Sequence, residues 1–131
     1  MVVITRSKEQ SKPLVKNRNY RYGRNKEYAR LAWARKHRQA FLGGRFRGSK
    51  VSKSWIRQIG FNPDIDIWYI TPKGVFFEQI KSSKFRKPTI SKDEIKNLEH
   101  FAKFVGMNSP FYWIGYILMQ PYKSPIEIRL N

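Results

Sequence analysis

The sequence predicts a single α/β domain with a mixed central β-sheet flanked by helices. Three observations lead to this fold class. Residues 63–81 contain two runs rich in β-branched and aromatic side chains with a turn signal between them, which is typical of a β-hairpin. Residues 24–41 and 91–105 have helical propensity and spacing. The run FYWIGYILM at residues 111–119 has the length and composition of a buried strand, so the order of elements indicates a sheet covered by helices.

The charge of the chain is the main clue to its partner. There are 27 Lys and Arg residues against 9 Asp and Glu, which gives a net charge of +18 in 131 residues. Of these, 17 basic and only 2 acidic residues lie in the first 60 positions. Such a charge repels itself unless a polyanion is bound, so we expect nucleic acid rather than a membrane as the partner.

Composition also excludes several classes of function. The absence of cysteine rules out disulfides, thiolate catalysis and cysteine zinc sites. There is no signal peptide pattern, and the longest apolar run, at residues 111–119, is far shorter than the roughly 20 residues that span a bilayer. We therefore expect a cytoplasmic, DNA-associated protein.

The chain begins with a basic segment. Residues 1–19 alternate basic and polar side chains around Pro13 without clear periodicity, which predicts a flexible basic arm. A single domain is expected over residues 20–131. The arm is either an inert terminus or a segment that becomes ordered on a phosphate backbone.

The first helix, predicted at residues 24–41, carries an acid on its inward face. Glu27 falls near the stripe that contains Leu31 and Ala34, whereas most other charged residues of this helix are basic. Such a carboxylate either forms a salt bridge with a neighbouring arginine or belongs to a metal site. The spacing alone leaves both interpretations open.

The hairpin sets a register that gathers polar side chains. With residues 71–74 as the turn, antiparallel pairing opposes Ile70 and Val75, Trp68 and Phe77, Asp66 and Gln79, and Asp64 and Lys81. Directly opposed residues share a sheet face, so two aspartates, an amide and a lysine converge at the open end of the hairpin. This set suits phosphodiester hydrolysis, because hard oxygen ligands hold Mg²⁺ while the lysine holds the nucleophile or the developing charge.

Basic residues flank the hairpin on both sides. Before it, residues 45–48 form an edge strand or a loop, and residues 52–59 form a short helix. There Trp55 lies among basic residues and either stacks on a base or anchors the segment to the core. After the hairpin, Lys84 and Arg86 lie in a loop that either holds a phosphate beside the metal or is simply solvated.

The second half of the chain supplies a helix and two strands. Ser91 and Glu94 form a capping box at the start of the helix predicted at residues 91–105. The apolar stripe of that helix is expected to be core. Residues 111–119 are predicted as a central strand, and residues 126–130 as a short final strand.

Several short motifs follow one another in a recognisable order. They consist of Gly23 and Glu27; Arg45, Gly48 and Ser49; Pro63, Asp64 and Asp66; and Gln79, Ile80 and Lys81. This order resembles the PD-(D/E)xK nuclease superfamily and, within it, the archaeal Holliday junction resolvases, over most of residues 20–118. The resemblance implies a restriction-endonuclease-like core and an endonuclease of branched DNA that depends on Mg²⁺, with Mn²⁺ able to substitute. It also implies a homodimer.

The resemblance implies a role for each matched residue. The metal ligands would be Glu27, Asp66, Gln79 and the carbonyl of Ile80. Lys81 would position or activate the attacking water. DNA contacts are expected from Arg24, Arg45, Arg47, Ser49, Lys50, Lys53, Lys84 and Arg86.

Two departures from the family pattern leave choices open. Gln79 stands where the family has a glutamate, and the neighbouring Glu78 could take its place only through a bulge. An insertion at residues 50–62 leaves Asp64 as an alternative to Asp66, which we favour as the principal ligand. The same site would also serve a homing, restriction-like or flap nuclease, and a disabled site would leave a nucleic-acid-binding protein without catalysis.

Overall fold

The computed structural model describes residues 11–46, 50–105 and 110–131, which form three helices and five strands. In chain order these are α1 (Ser11–His37), β1 (Leu42–Arg45), α2 (Lys50–Ile59), β2 (Ile67–Thr71), β3 (Gly74–Ser82), α3 (Lys92–Val105), β4 (Tyr112–Met119) and β5 (Ile126–Arg129). None of the helices within these residues is both long and apolar enough to cross a membrane.

The five strands form one mixed sheet in the order β1-β2-β3-β4-β5. β1, β2 and β3 pair antiparallel in succession, β3 and β4 pair parallel, and β5 returns antiparallel to β4. A parallel pair needs a crossover connection, which α3 provides between β3 and β4. The predicted mixed sheet with flanking helices is confirmed.

Each face of the sheet packs against one long helix. On the face that we call the α1 face, Leu31 of α1 belongs to a buried cluster with Tyr69. On the opposite face, the α3 face, Leu98 of α3 belongs to a second buried cluster with Phe77. Side chains alternate between the two faces along a regular strand, so position in a strand decides which helix a residue meets.

α1 begins earlier than the sequence predicts. It starts at Ser11, so the flexible arm expected over residues 1–19 is helix from Ser11 onward, and residues 1–10 lie outside the described residues. Pro13 lies in the first turn of α1. A proline is tolerated there because the first N–H groups of any helix have no intrahelical partner.

α1 also ends earlier than predicted, at His37 rather than at residue 41. Gln39 follows with a left-handed backbone conformation, at a φ of 59°, which turns the chain out of the helix. Gly43 lies in β1. A Cβ at this position would lie 2.8 Å from the carbonyl oxygen of Trp68, so a glycine permits the close approach of β2.

The hairpin of β2 and β3 has the predicted register next to its turn. Ile70 pairs with Val75 and Trp68 with Phe77. The turn is tighter than predicted, since residues 71 and 74 already pair and only residues 72 and 73 connect the strands.

The predicted pairing ends at a bulge before β2. Ile67 lies opposite Glu78, and the N–H of Asp66 donates to the carbonyl oxygen of the same Glu78 at 2.9 Å. Ile65 packs on the α3 face and Ile67 on the α1 face, although residues two apart in a regular strand share one face. Two residues therefore oppose one, and the predicted rungs of residue 66 with 79 and of residue 64 with 81 do not form.

Candidate active site

Asp66 lies at the bulge with its side chain turned into the sheet. It is 4% exposed, and its Oδ2 accepts a hydrogen bond from the backbone N–H of Ile80 at 2.8 Å. The carboxylate thus continues the ladder at the point where the backbone of β2 moves away. In a strand, the N–H and C=O of one residue face the same neighbour, so the carbonyl of Ile80 also faces the Asp66 side of β3.

Gln79 and Lys81 share a partner on the α3 face. The Nε2 of Gln79 donates to Oε2 of Glu94 at 2.6 Å, and the Nζ of Lys81 donates to the same oxygen, also at 2.6 Å. Glu94 lies in the first turn of α3. The structure therefore brings two predicted catalytic residues together with a third group that was not predicted for the site.

Gln79 has a buried oxygen without a hydrogen-bond partner. The residue is 1% exposed, and its Oε1 is the one buried side-chain polar atom of the described residues that lacks a partner. A carboxylate only accepts, so the bond to Glu94 fixes Nε2 on that side and leaves Oε1 as the open acceptor. Leaving a buried acceptor unsatisfied costs about 1–3 kcal/mol, so this oxygen is available to a ligand or to a water molecule.

Glu94 combines this contact with the predicted capping box. Its Oε1 accepts from the N–H of Ser91 at 3.2 Å, and its own N–H donates to the Ser91 Oγ at 3.1 Å. Burial alone would raise the pKa of Glu94, but the hydrogen bonds from Lys81 and Ser91 outweigh it and lower the pKa. The capping box could be read from local spacing, whereas the contact with β3 depends on how α3 docks.

Glu27 is held on the opposite face of the sheet. Its Oε1 accepts a hydrogen bond from the Nε of Arg45 at 2.9 Å. Arg45 lies opposite Ile67, which packs on the α1 face, whereas Gln79 and Lys81 meet α3. The structure shows the salt bridge that was one interpretation of Glu27, and it does not bring this carboxylate together with Gln79 and Lys81.

Glu78, the alternative ligand at β3, lies in a buried network instead. Its carboxylate accepts hydrogen bonds from the Nε of Arg30 at 2.9 Å and from the hydroxyl of Tyr69 at 2.6 Å. Burial lowers the pKa of Arg30, but the hydrogen bond and charge of Glu78 outweigh it and raise the pKa. Burial and the same carboxylate raise the pKa of Tyr69. We therefore leave Glu78 out of the ligand set.

Glu127 of β5 completes the buried network. It accepts hydrogen bonds from Arg30 and from Arg38, the latter at 2.7 Å. Burial raises the pKa of Glu127, but the two arginines outweigh it and lower the pKa. The Arg30 guanidinium also lies over the ring of Trp33, 4.1 Å from its centroid. This network joins α1 to three strands, and no local sequence signal indicates it.

Asp64, the other candidate ligand, turns towards α3. Its backbone is left-handed, at a φ of 59°, and its N–H donates to the Oδ1 of Asn62 at 3.0 Å. Its carboxylate accepts a hydrogen bond from the side chain of Asn97. Asp66, which contacts β3 directly, is therefore the better placed of the two aspartates.

A basic cavity of about 230 Å³ opens beside Lys81. Its walls include Ser83, Arg86 and Lys87, and the N–H of Arg86 donates to the Ser83 Oγ at 3.3 Å. Phe85, in the same loop, is 96% exposed. The loop therefore presents cations and one free aromatic ring next to the proposed site.

The other residues predicted to contact DNA differ in their exposure, and some lie outside the described residues. Those with exposed or half-buried side chains are Lys53, Lys84 and Arg24. Arg45 is bound to Glu27. Outside the described residues lie Arg47, Ser49 and the side chain of Lys50.

Comparison with solved structures identifies the fold. Hjc, a Holliday junction resolvase from the archaeal hyperthermophile Archaeoglobus fulgidus, aligns with a TM-score of 0.57 and 21% sequence identity over 82% of this chain and 77% of that one. The chain shares the fold of this protein. The restriction-endonuclease-like core implied by the PD-(D/E)xK resemblance is thereby confirmed. A scan against protein-family models and a comparison with curated protein sequences found no match.

A divalent cation, which the motif resemblance implies, would fit the oxygen atoms at the end of the hairpin. Among the described residues, no three His, Cys, Asp or Glu side chains cluster as a metal site. The donors here are mixed, since they comprise the carboxylate of Asp66, the amide oxygen of Gln79 and the carbonyl of Ile80. All are hard oxygen donors of the kind that Mg²⁺ and Mn²⁺ prefer. The open Oε1 of Gln79 is the acceptor that such a cation would satisfy.

Proposed function

We propose that the chain is a metal-dependent endonuclease of branched DNA, of the Holliday junction resolvase kind. One observation carries the proposal: in a resolvase fold, Gln79 presents a buried, unpartnered oxygen on the strand that also holds Lys81 and binds Asp66. A carboxylate and a neutral hard oxygen can hold a divalent cation, and an ammonium can stabilise the charge that develops in phosphodiester hydrolysis.

The cation would be held by Asp66, Gln79 and the carbonyl of Ile80. When bound, it supplies polarisation of the scissile phosphate and a more acidic water. The protein positions the donors, because the bulge sets Asp66 against β3 and Glu94 fixes the amide of Gln79. Mg²⁺ is the expected ion, and Mn²⁺ can replace it.

Lys81 provides the positive charge of the site. Its ammonium is 2.6 Å from Glu94, at the mouth of the basic cavity. From this position it would orient the attacking water or stabilise the negative charge that develops on the phosphate.

The loop of residues 83–87, which follows β3 and which we call the basic loop, would hold the DNA next to the site. Arg86 and Lys87 line a cavity beside Lys81 and would bind a neighbouring phosphate, which positions DNA without reading its sequence. Phe85 is suited to stack on a base that is unpaired at a branch point. The net charge of +18 adds long-range attraction to any DNA.

Two symmetric cuts in a four-way junction require two sites, so we propose a C2 homodimer as the working form. Light scattering on the chain, free and bound to a junction, tests this. We expect two chains per junction, and a single chain per junction would contradict it.

A cleavage assay on labelled junction, flap, nicked and linear DNA tests the activity. We expect cutting of the junction in Mg²⁺ or Mn²⁺, no cutting in EDTA, and no cutting by Asp66→Asn. Glu99→Gln, at an exposed acid on α3, is the matched control and should cut normally. Preference for flap or linear duplex would assign a flap or restriction-like nuclease, and binding without cutting in either metal would overturn the nuclease proposal.

A further inference from the structure

The proposed site has a neutral amide where the nuclease pattern has an acid. With Asp66 and Gln79 as side-chain ligands, only one negative charge would balance the two positive charges of the cation. The ammonium of Lys81 close by adds a further positive charge. The carboxylate of Glu94 lies beside both Gln79 and Lys81. The Oε2 of Glu94 is 2.6 Å from both the Gln79 Nε2 and the Lys81 Nζ.

Glu94 is held in place before any ligand binds. Its Oε1 is fixed by the N–H of Ser91, and its backbone N–H by the Ser91 hydroxyl. It lies in the first turn of α3, where the helix dipole favours a negative charge. Its side chain is 22% exposed, so the carboxylate is neither sealed in the core nor free in solvent.

Gln79 and Glu94 form a complementary pair. The amide donates to the carboxylate, and this bond directs the Gln79 Oε1 away from Glu94 as an open acceptor. A glutamate at position 79 would instead set two carboxylates in contact, and their like charges would repel each other with only the ammonium of Lys81 between them. The amide at 79 is therefore the residue that suits an acid at 94.

We propose that Glu94 supplies the second negative charge of the metal site without itself touching the cation, and that Gln79 is a neutral oxygen ligand of the cation whose amide N–H is held by Glu94. This inference rests on the proposed function, because it assumes that the site binds a divalent cation. It assigns the charge missing at residue 79 to a residue of the following helix.

Calorimetric titration of the DNA-free protein with Mn²⁺ tests the inference without relying on cleavage. Glu94→Gln should weaken Mn²⁺ binding about tenfold or more. A glutamine also serves in a capping box, so the thermal midpoint should change little and report that α3 is intact. The double variant Gln79→Glu with Glu94→Gln returns the carboxylate to position 79 and should recover binding to within about threefold of the wild type.

The variants distinguish failure of this inference from failure of the proposed function. Glu99→Gln should bind Mn²⁺ as the wild type does, and Asp66→Asn should lose binding. If Asp66→Asn loses binding but Glu94→Gln does not, the role of Glu94 is overturned and the proposed function stands. A double variant no better than Glu94→Gln would overturn the pairing with Gln79. Equal Mn²⁺ binding by the wild type and Asp66→Asn would overturn the metal site itself.

Discussion

The Asp66 carboxylate accepts a hydrogen bond from the backbone N–H of Ile80 at 2.8 Å, next to the bulge at which the N–H of Asp66 donates to the carbonyl of Glu78. One side chain thus completes the sheet and is proposed to bind the metal. The two roles can be separated, because an asparagine at this position can still accept the hydrogen bond but carries no charge.

Asp66→Asn and Asp66→Ala should therefore differ in stability but not in activity. We expect both variants to lose junction cleavage. Urea denaturation should show that Asp66→Ala is destabilised by about 1–3 kcal/mol, because the buried N–H of Ile80 loses its acceptor, and that Asp66→Asn is destabilised less. Equal unfolding free energies for the two variants would show that the carboxylate does not support the sheet.

Lys81→Ala should remove catalysis while sparing DNA binding. The ammonium is expected to act on the developing charge, so single-turnover cleavage should fall about 10²- to 10³-fold. Junction affinity should change little, since Lys84, Arg86 and Lys87 in the loop after β3 remain. Lys103→Ala, at an exposed lysine of α3, is the control and should behave as the wild type. Cleavage by Lys81→Ala at the wild-type rate would exclude the proposed role.

Phe85→Ala should weaken binding to branched DNA more than binding to duplex. Loss of stacking on one unpaired base should cost about 1–3 kcal/mol, measured as the change in Kd for a junction relative to a linear duplex. Tyr122→Ala removes another fully exposed aromatic outside the basic loop and should leave the ratio unchanged. An equal loss on both DNA forms would assign Phe85 no part in recognising the branch.

The stabilisation from Glu127 should depend on pH. Arg30 and Arg38 lower its pKa from the ordinary value of 4.5, so the folded state binds this proton less readily than the unfolded chain. The stabilisation is then complete above pH 4.5 and is lost as the pH falls through the lowered folded-state pKa. Glu127→Gln should lower Tm at pH 7, and the difference from wild type should narrow below pH 4.5. A difference that stays constant down to low pH would contradict this.

The register of the hairpin could be predicted because it depends on local chemistry. A turn flanked by β-branched and aromatic runs was enough to pair Ile70 with Val75 and Trp68 with Phe77. The bulge could not be predicted, since alternation along a strand assumes that each residue opposes one partner. The start of α1 was missed because residues 11–19 show no clear periodicity, although a first helical turn accepts the proline at position 13.

The sequence predicted those parts of the candidate site that lie on a single strand. Gln79 and Lys81 share a face because they lie two residues apart, which the sequence gives directly. Glu78 is bound by Arg30 of α1 and Tyr69 of β2, and Gln79 by Glu94 of α3. The docking of the helices, which is long-range, decides the contacts with Arg30 and Glu94. For this reason Glu94 was recognised as a capping residue but not as a member of the site, and Glu78 was considered a ligand although two arginines bind it.

The most direct test is the anomalous scattering of Mn²⁺ in crystals of the protein. We predict a peak within about 2.6 Å of a carboxylate oxygen of Asp66 and of the Oε1 of Gln79, on the side of the sheet that α3 covers. A peak beside Glu27 on the α1 face, or no peak at the end of the hairpin at saturating Mn²⁺, would contradict the proposed metal site.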